Sequence, residues 1–212
     1  MSLTADRTLW NSESLYHQNR EGDAQMQTET YLLPFVKDFF LPSKPVSFCD
    51  FACGQGAIAT FLADTLTKSG YKIDRTLLID TVEDNLQEAR PRVEGVGGEV
   101  DTFVANGNNF NGYTGKKVDF LYSWDAMVHF DIIDVVGYVS TVSELVDGYC
   151  LFHHSNYGQV TTDIRQNPHW RNFMTKDVFA QICRSSGLEV VSQKVFACGE
   201  KDLDCITVAK TI

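Results

Sequence analysis

Positive charge is scarce in this chain. Eighteen basic residues stand against 28 acidic ones, a formal net charge of −10, and the longest basic run is Lys116-Lys117. A phosphate backbone would be repelled by that balance unless a strong local basic patch offset it, and the sequence shows none. Nucleic acid is therefore not an expected partner, although a single-nucleotide ligand stays compatible. Also missing are a run of about 18 apolar residues and an N-terminal basic region followed by an apolar stretch, the marks of a membrane helix and a secretory leader. A soluble cytoplasmic protein with no membrane partner is expected. The cysteines, Cys49, Cys53, Cys150, Cys183, Cys198 and Cys205, form no C-x-x-C pair and have no histidine at metal-binding spacing. Buried free thiols in a reducing compartment are the expectation.

What is present is a chain of 212 residues, 43% hydrophobic, enough for one substantial core and a single domain with an N-terminal extension over 1–45. No repeat or low-complexity linker interrupts it. Apolar strand-like runs at 46–51, 76–80, 100–105, 118–124, 149–154, 188–195 and 205–209 alternate with segments of helical period at 57–67, 83–93, 132–145 and 176–186. That alternation predicts an α/β protein with a mainly parallel sheet. Between the last two strands lie only residues 197–204, too few for a parallel crossover, so they should form an antiparallel hairpin at one end of the sheet. Gly148 and Gly187 read as helix C-caps. The extension carries Trp10, Tyr16, Tyr31, Phe35, Phe39 and Phe40 together with Met26, Leu33 and Val36. One or two helices are expected there, with Pro34 at a boundary or kink, serving either as a structural cap or as a lid.

The stretch FCDFACGQGAIATFL, residues 48–62, places Asp50 at the end of an apolar run, just before a glycine turn and a helix. Gly54-Gln55-Gly56-Ala57-Ile58-Ala59 fits the G-x-G-x-x-A pattern of a dinucleotide fold, with Asp80 about 20 residues on as the ribose acid. A dehydrogenase using NAD is thus one reading. It leaves Asp50 unexplained, because a carboxylate at the mouth of the turn would repel a pyrophosphate. A cationic ligand would not be repelled, and S-adenosylmethionine carries an ammonium and a sulfonium but no phosphate.

Here the chain resembles the class I S-adenosylmethionine-dependent methyltransferases, whose first motif reads acid-x-Gly-x-Gly-x-Gly. It stands as Asp50-Phe51-Ala52-Cys53-Gly54-Gln55-Gly56, with Ala52 in place of the first glycine. The resemblance implies a Rossmann-like sheet of seven strands, mostly parallel, with a C-terminal antiparallel hairpin and helices on both faces. It also implies S-adenosylmethionine as cofactor, held by Asp50, Ala52, Gly54 and Gly56, with Asp80 in TLLIDTVEDNLQEAR accepting from the ribose hydroxyls. In DTFVANGNNF, Asn106 or Asn108 falls where such enzymes read the adenine edge; backbone geometry in a turn is the competing role for these asparagines. The strings DFLYSWDAMVHF, LFHHSN, NPHWRNFMT and DCITV further resemble small bacterial sugar or polyol O-methyltransferases, over residues 46–210.

Methyl transfer to a hydroxyl is an in-line displacement that needs an aligned oxygen, exclusion of water and a base. Asp125 follows the fourth strand. If a helical turn comes next, His129 lies four residues on along the same face, as general base with Asp125 orienting it or binding substrate. A capping aspartate and an interior histidine are the alternative. His153 and His154 end the fifth strand as further candidate bases, and only one of them can face a given side of the sheet. Ser155 and Asn156 beyond them could bond a polar acceptor. His169, Trp170 and Arg171 follow, an indole and a guanidinium suited to stacking on a sugar or holding an anion, or to pinning the loop. Asp125 and these histidines show no D-x-D or H-x-H spacing among themselves, and no metal is expected. The resulting expectation is an O-methyltransferase acting on a small hydroxylated acceptor, a sugar or glycosylated metabolite. N-methylation of a small amine and a non-catalytic cofactor-binding module are the alternatives.

Overall fold

The structure, a computed structural model, describes residues 20–105, 108–161, 171–198 and 201–212. These fall into two compact units, one ending at Ala105 and one beyond it.

The first unit begins with a helical run made of α1 (Arg20–Gln27), a π-helical turn (Thr28–Leu32) and α2 (Leu33–Phe39). Pro34 sits at the start of α2, where an ordinary helical turn would drive its ring into the preceding turn's carbonyl. The run stays helical because the turn before it is wide: the Leu33 N–H reaches back five residues to the Thr28 carbonyl. Ala24, Leu32, Phe35 and Val36 are buried, and the run packs on α3 (Ala57–Lys68). The rest of the unit is β1 (Val46–Phe51), β2 (Ile73–Asp80), α4 (Glu83–Glu94) and β3 (Glu99–Val104). All six residues of β1 are buried, as the central strand of a parallel sheet requires. β1 and β2 are parallel, as are β2 and β3, with Asp50 opposite Leu78 and Asp80 opposite Val104. Parallel pairing therefore brings the aspartates to the same, carboxyl edge of the strands.

The second unit holds β4 (Val118–Ser123), α5 (Ile132–Thr141), a 3-10 turn (Val142–Glu144), β5 (Val146–Ser155), α6 (Tyr157–Val160), α7 (Lys176–Ser185), β6 (Leu188–Cys198) and β7 (Lys201–Thr211). β4 and β5 are parallel, whereas β7 runs antiparallel to both β5 and β6. The seven strands take the order 3-2-1-4-5-7-6, a mostly parallel sheet ended by the expected antiparallel hairpin.

Two local expectations change. The helix foreseen over 132–145 stops at Thr141, and the chain tightens into the 3-10 turn before β5 starts at Val146. Gly148 accordingly lies within β5 rather than capping a helix, and a Cβ there would collide with the Asp119 carbonyl oxygen. Gly187 does take a left-handed conformation just after α7, φ 75°, with its N–H donating to the Arg184 carbonyl at 3.2 Å.

Candidate functional site

In the first unit the candidate residues gather at the turn between β1 and α3. Ala52, Gly54 and Gly56 all have left-handed backbones, φ 61°, 52° and 75°. The turn is fastened to β2 by main-chain and side-chain bonds. The Cys53 N–H donates to the Ile79 carbonyl at 3.0 Å, and the Gly54 N–H donates to Asp80 Oδ2 at 2.8 Å. Asp80 Oδ1 accepts from the Val82 N–H at 2.9 Å and from Asn85 Nδ2 at 3.4 Å. Asp80, expected from the resemblance only as a ribose acceptor, thus also shapes the turn. Two carboxylate oxygens offer about four lone-pair positions, and these three bonds take most of them. Asn85, which the sequence did not single out, is a buried partner that helps fix the carboxylate.

The electrostatics of the turn are negative. Asp50 and Asp80 are both buried. The Cys53 thiol is pushed well up, first by burial and then by the charges of Asp80 and Asp50. Burial opposes a charge of either sign, whereas the Asp80 and Asp50 charges oppose an anion and favour a cation.

Ala52 holds a conformation in which its Cβ crowds the following carbonyl, at a cost of roughly 1–2 kcal/mol that glycine does not bear. Ala52→Gly should therefore raise stability by about 1 kcal/mol. A higher denaturation midpoint with an unchanged urea m-value would show it, and a lower midpoint would mean that the alanine methyl makes compensating contacts.

Asn106 lies outside the described residues. Asn108, in the second unit, has its carbonyl oxygen against the open face of Gly137 in α5, and its Oδ1 is 3.4 Å from Asn109 Nδ2. The neighbouring Phe110 N–H donates to Thr141 Oγ1 at 3.0 Å, so the loop is moored to α5.

The carboxyl ends of β4 and β5 carry the other candidates. Asp125 is left-handed, φ 53°, and its N–H donates to His153 Nδ1 at 3.0 Å. The helical turn expected after Asp125 does not form. The chain closes a tighter turn instead, with the His129 N–H on the Ala126 carbonyl at 2.9 Å, and His129 is half-buried. Asn172 anchors that turn: its Nδ2 donates to the Met127 and Phe130 carbonyls at 2.8 and 2.7 Å, and its own N–H donates to the Val128 carbonyl at 2.8 Å.

The pleat settles which way each strand histidine faces. Ser155 stands opposite Asp204 and His153 opposite Ile206, whereas His154 stands opposite Cys205 on the other face. His153 lies between Trp124 and Phe196, ring centroids 4.6 and 5.3 Å away, with Nε2 3.3 Å from Asp204 Oδ2. Asp204 is gripped by Arg171 through Nε on Oδ1 at 2.5 Å and Nη2 on Oδ2 at 2.7 Å. Burial raises the Asp204 pKa, but the Arg171 fork and His153 outweigh it and hold the carboxyl at about 2. His154 stacks on Phe179 at 3.8 Å, donates from Nδ1 to the Ser155 carbonyl at 2.9 Å and meets the Thr207 hydroxyl with Nε2 at 2.8 Å. Burial drops its pKa to about 3, so it is a neutral interior ring with both nitrogens engaged. Ser155 Oγ donates to the Asn172 carbonyl at 2.7 Å and accepts from the Tyr157 N–H at 3.0 Å; Asn156 Oδ1 accepts from the Lys176 N–H at 2.9 Å. Both serve the backbone in this structure.

The second unit therefore brings together Asp125, His153, Arg171 and the unforeseen Asp204, and sets His154 on the opposite face. Trp170 lies outside the described residues. Among those described, no group of three or more His, Cys, Asp and Glu side chains could hold a metal ion, and no helix is long and apolar enough to cross a membrane.

No protein-family model matches the chain, and no curated protein sequence does. Solved structures do match. Magnesium protoporphyrin IX methyltransferase from Synechocystis PCC 6803, with bound SAM, has a TM-score of 0.64 at 16% identity, over 97% of this chain and 89% of its own. An S-adenosylmethionine-dependent methyltransferase from Clostridium acetobutylicum ATCC 824 reaches 0.67 at 12% identity, over 92% of this chain and 96% of its own. The 1,6-didemethyltoxoflavin-N1-methyltransferase of Burkholderia thailandensis, with its substrate and S-adenosylhomocysteine bound, gives 0.59 at 16% identity, over 92% and 83%. Strand order, hairpin and these likenesses agree: the chain has the Rossmann-like fold of S-adenosylmethionine-dependent methyltransferases.

Proposed function

We propose that this protein is an S-adenosylmethionine-dependent methyltransferase that acts on a hydroxyl of a small polar acceptor, a sugar or glycosylated metabolite. The observation that carries the cofactor reading is the pair of buried carboxylates, Asp50 and Asp80, at one glycine turn. A pyrophosphate would meet that field as a like charge, whereas an ammonium or sulfonium is stabilised by it. The Asp80 carboxylate that holds Gly54 is also the candidate acceptor for a ribose hydroxyl. S-adenosylmethionine, when bound, supplies an electrophilic methyl group on sulfur.

For the acceptor, the chain's own task is to align a hydroxyl and take its proton. His154 has no ring nitrogen to spare, and His153 spends Nδ1 on the Asp125 amide. His129 is the candidate base, on a turn that Asn172 fixes in place. Asp125, half-buried at the end of β4, is the candidate acceptor ligand.

Calorimetric titration with S-adenosylhomocysteine, with NAD in parallel, tests the cofactor. Micromolar binding of the former alone, weakened in Asp50→Asn, is the expected outcome; NAD binding that Asp50→Asn improves would replace this reading with a dehydrogenase. Screening sugar acceptors against small amines with a labelled methyl donor then tests the substrate class. In His129→Ala, kcat should fall by about 10²–10⁴ with cofactor affinity unchanged. Cofactor binding without turnover on any acceptor would favour a non-catalytic binding module.

A further inference from the structure

Asp125 is held in a backbone conformation that costs a non-glycine residue energy and persists only where the surroundings enforce it. One contact that enforces it is the bond from the Asp125 N–H to His153 Nδ1. An N–H donor at Nδ1 requires that nitrogen to be the imidazole's unprotonated one, so the ring proton sits on Nε2. Nε2 faces Asp204 Oδ2 at 3.3 Å, so the carboxylate's charge favours the tautomer that presents an N–H dipole to it, though without hydrogen-bond alignment. Both Asp204 oxygens are claimed by the Arg171 fork, which fixes the carboxylate where it meets the ring. His153, Arg171 and Asp204 are each at most 5% exposed, so water cannot screen this chain of contacts. The antiparallel register explains why Asp204 can reach: on β7 it stands opposite Ser155 of β5 and Phe196 of β6, one pleat repeat from His153 on the same face.

We propose that Arg171 and Asp204 are positioning residues for Asp125: they hold His153 in its Nε2-protonated tautomer, and His153 in turn keeps Asp125 in the left-handed conformation that aims its carboxylate. This rests on the reading of Asp125 as the acceptor ligand. Arg171, placed by sequence among substrate contacts, acts in this scheme through Asp204 and His153, and the 33-residue separation of Arg171 from Asp204 ties the segment after residue 170 to the sheet.

The test is Asp204→Asn, followed by nitrogen-15 NMR of the histidine rings and amide hydrogen exchange. In the wild type the His153 spectrum should show a neutral ring protonated at Nε2, and the Asp125 amide should exchange slowly. In Asp204→Asn the His153 signals should move to a tautomer mixture and the Asp125 amide should exchange about tenfold faster or more, while the amides of Leu121 in β4 and Leu151 in β5 keep their protection. The Michaelis constant for the acceptor should rise while S-adenosylhomocysteine affinity stays the same. Because asparagine leaves buried Arg171 without its counter-charge, that variant can fail to fold. His153→Phe then decides: it keeps a ring between Trp124 and Phe196 and the Arg171–Asp204 pair, and removes the acceptor for the Asp125 amide together with the Nε2 that faces Asp204. Wild-type Asp125 exchange in a folded His153→Phe, or an unmoved His153 spectrum in a folded Asp204→Asn, would overturn the proposal. Neither readout depends on methyl transfer, so a protein with no turnover but with these couplings intact would refute the functional reading alone.

Discussion

Gly56→Ala should lower stability by about 2–4 kcal/mol, close to 10 °C in Tm for a chain of this length, and remove binding of S-adenosylhomocysteine. Gly56 is the residue before α3, with φ 75°, so any side chain there bears the left-handed penalty. An added Cβ would also lie 2.9 Å from the Ala89 Cβ and 3.1 Å from the Ala89 Cα on α4. Neither atom can rotate away, because both are fixed to the α4 backbone. Relief requires α3 and α4 to separate, and the glycine turn moves with α3, away from the Asp80 carboxylate that holds Gly54. Gly70→Ala is the control. Its φ is 85°, yet a Cβ there would meet nothing within 4 Å, so only the conformational penalty of roughly 1–2 kcal/mol applies and ligand binding should survive. Equal losses of Tm in the two variants would show that α3 and α4 are not close-packed at Gly56.

How far the sequence carried the fold depended on what each residue's neighbours demanded. β1 is legible to the residue because Val46, Phe48, Cys49 and Phe51 make a short, mostly apolar run between Pro45 and the glycine turn, as a strand buried on both faces requires. The sequence reading of β5 falls three residues short at its start and one at its end; at the start Gly148 looks like punctuation, yet it is glycine because the Asp119 carbonyl occupies the space of its side chain, a contact invisible to periodicity. The fourth strand was drawn through Trp124, one residue too far, since the left-handed Asp125 that follows leaves no trace in spacing. The same backbone reversal removed the helical turn on which pairing Asp125 with His129 depended.

The placement of the candidate residues is legible where it is local. Asp50, the glycines and Asp80 belong to strand ends and one turn, and their order along the chain is enough to place them. Asp204 was not found, although a signal existed. An aspartate at the head of DCITVA is a poor strand residue, and a buried charge must be met by a cation. What sequence could not supply was which cation, since Arg171 lies 33 positions away and reaches Asp204 only through the antiparallel register of β5 and β7. The two adjacent histidines were correctly divided between opposite faces by the period of a strand, but their assignment needed the partners: Asp204 and Phe196 for one, Phe179 and Thr207 for the other.

The interior histidine makes the protein sensitive to acid, and His154→Gln should remove most of that sensitivity. Gln193 Nε2 donates to Thr207 Oγ1 at 2.9 Å, the Thr207 hydroxyl donates to His154 Nε2, and His154 Nδ1 donates to the Ser155 carbonyl. Every member of this chain is satisfied by a neutral imidazole, and a second ring proton would enter a buried site stacked on Phe179. Burial accordingly lowers the pKa to about 3 from an ordinary 6.5. Above 6.5 the ring is neutral whether the chain is folded or not, and it contributes no pH dependence. Between 6.5 and 3 the unfolded chain binds a proton that the folded chain refuses, so stability falls as pH falls, by up to about 1.4 kcal/mol per unit and a few kcal/mol over the range. Asp204 adds a smaller loss of the same sign at lower pH. Its carboxyl is held at about 2 against an ordinary 3.8, so its contribution is complete above the higher value and disappears as pH falls through the lower. Glutamine at position 154 keeps a polar end near Thr207 but does not titrate; it should cost stability at pH 8 through the lost Phe179 stacking, on the order of 1 kcal/mol. Urea unfolding of both proteins at pH 8, 6, 5 and 4 separates the two effects. The wild type should lose stability steeply below pH 6 while His154→Gln stays nearly flat down to pH 5, and parallel curves would mean that His154 takes up its proton in the folded chain as readily as in the unfolded one.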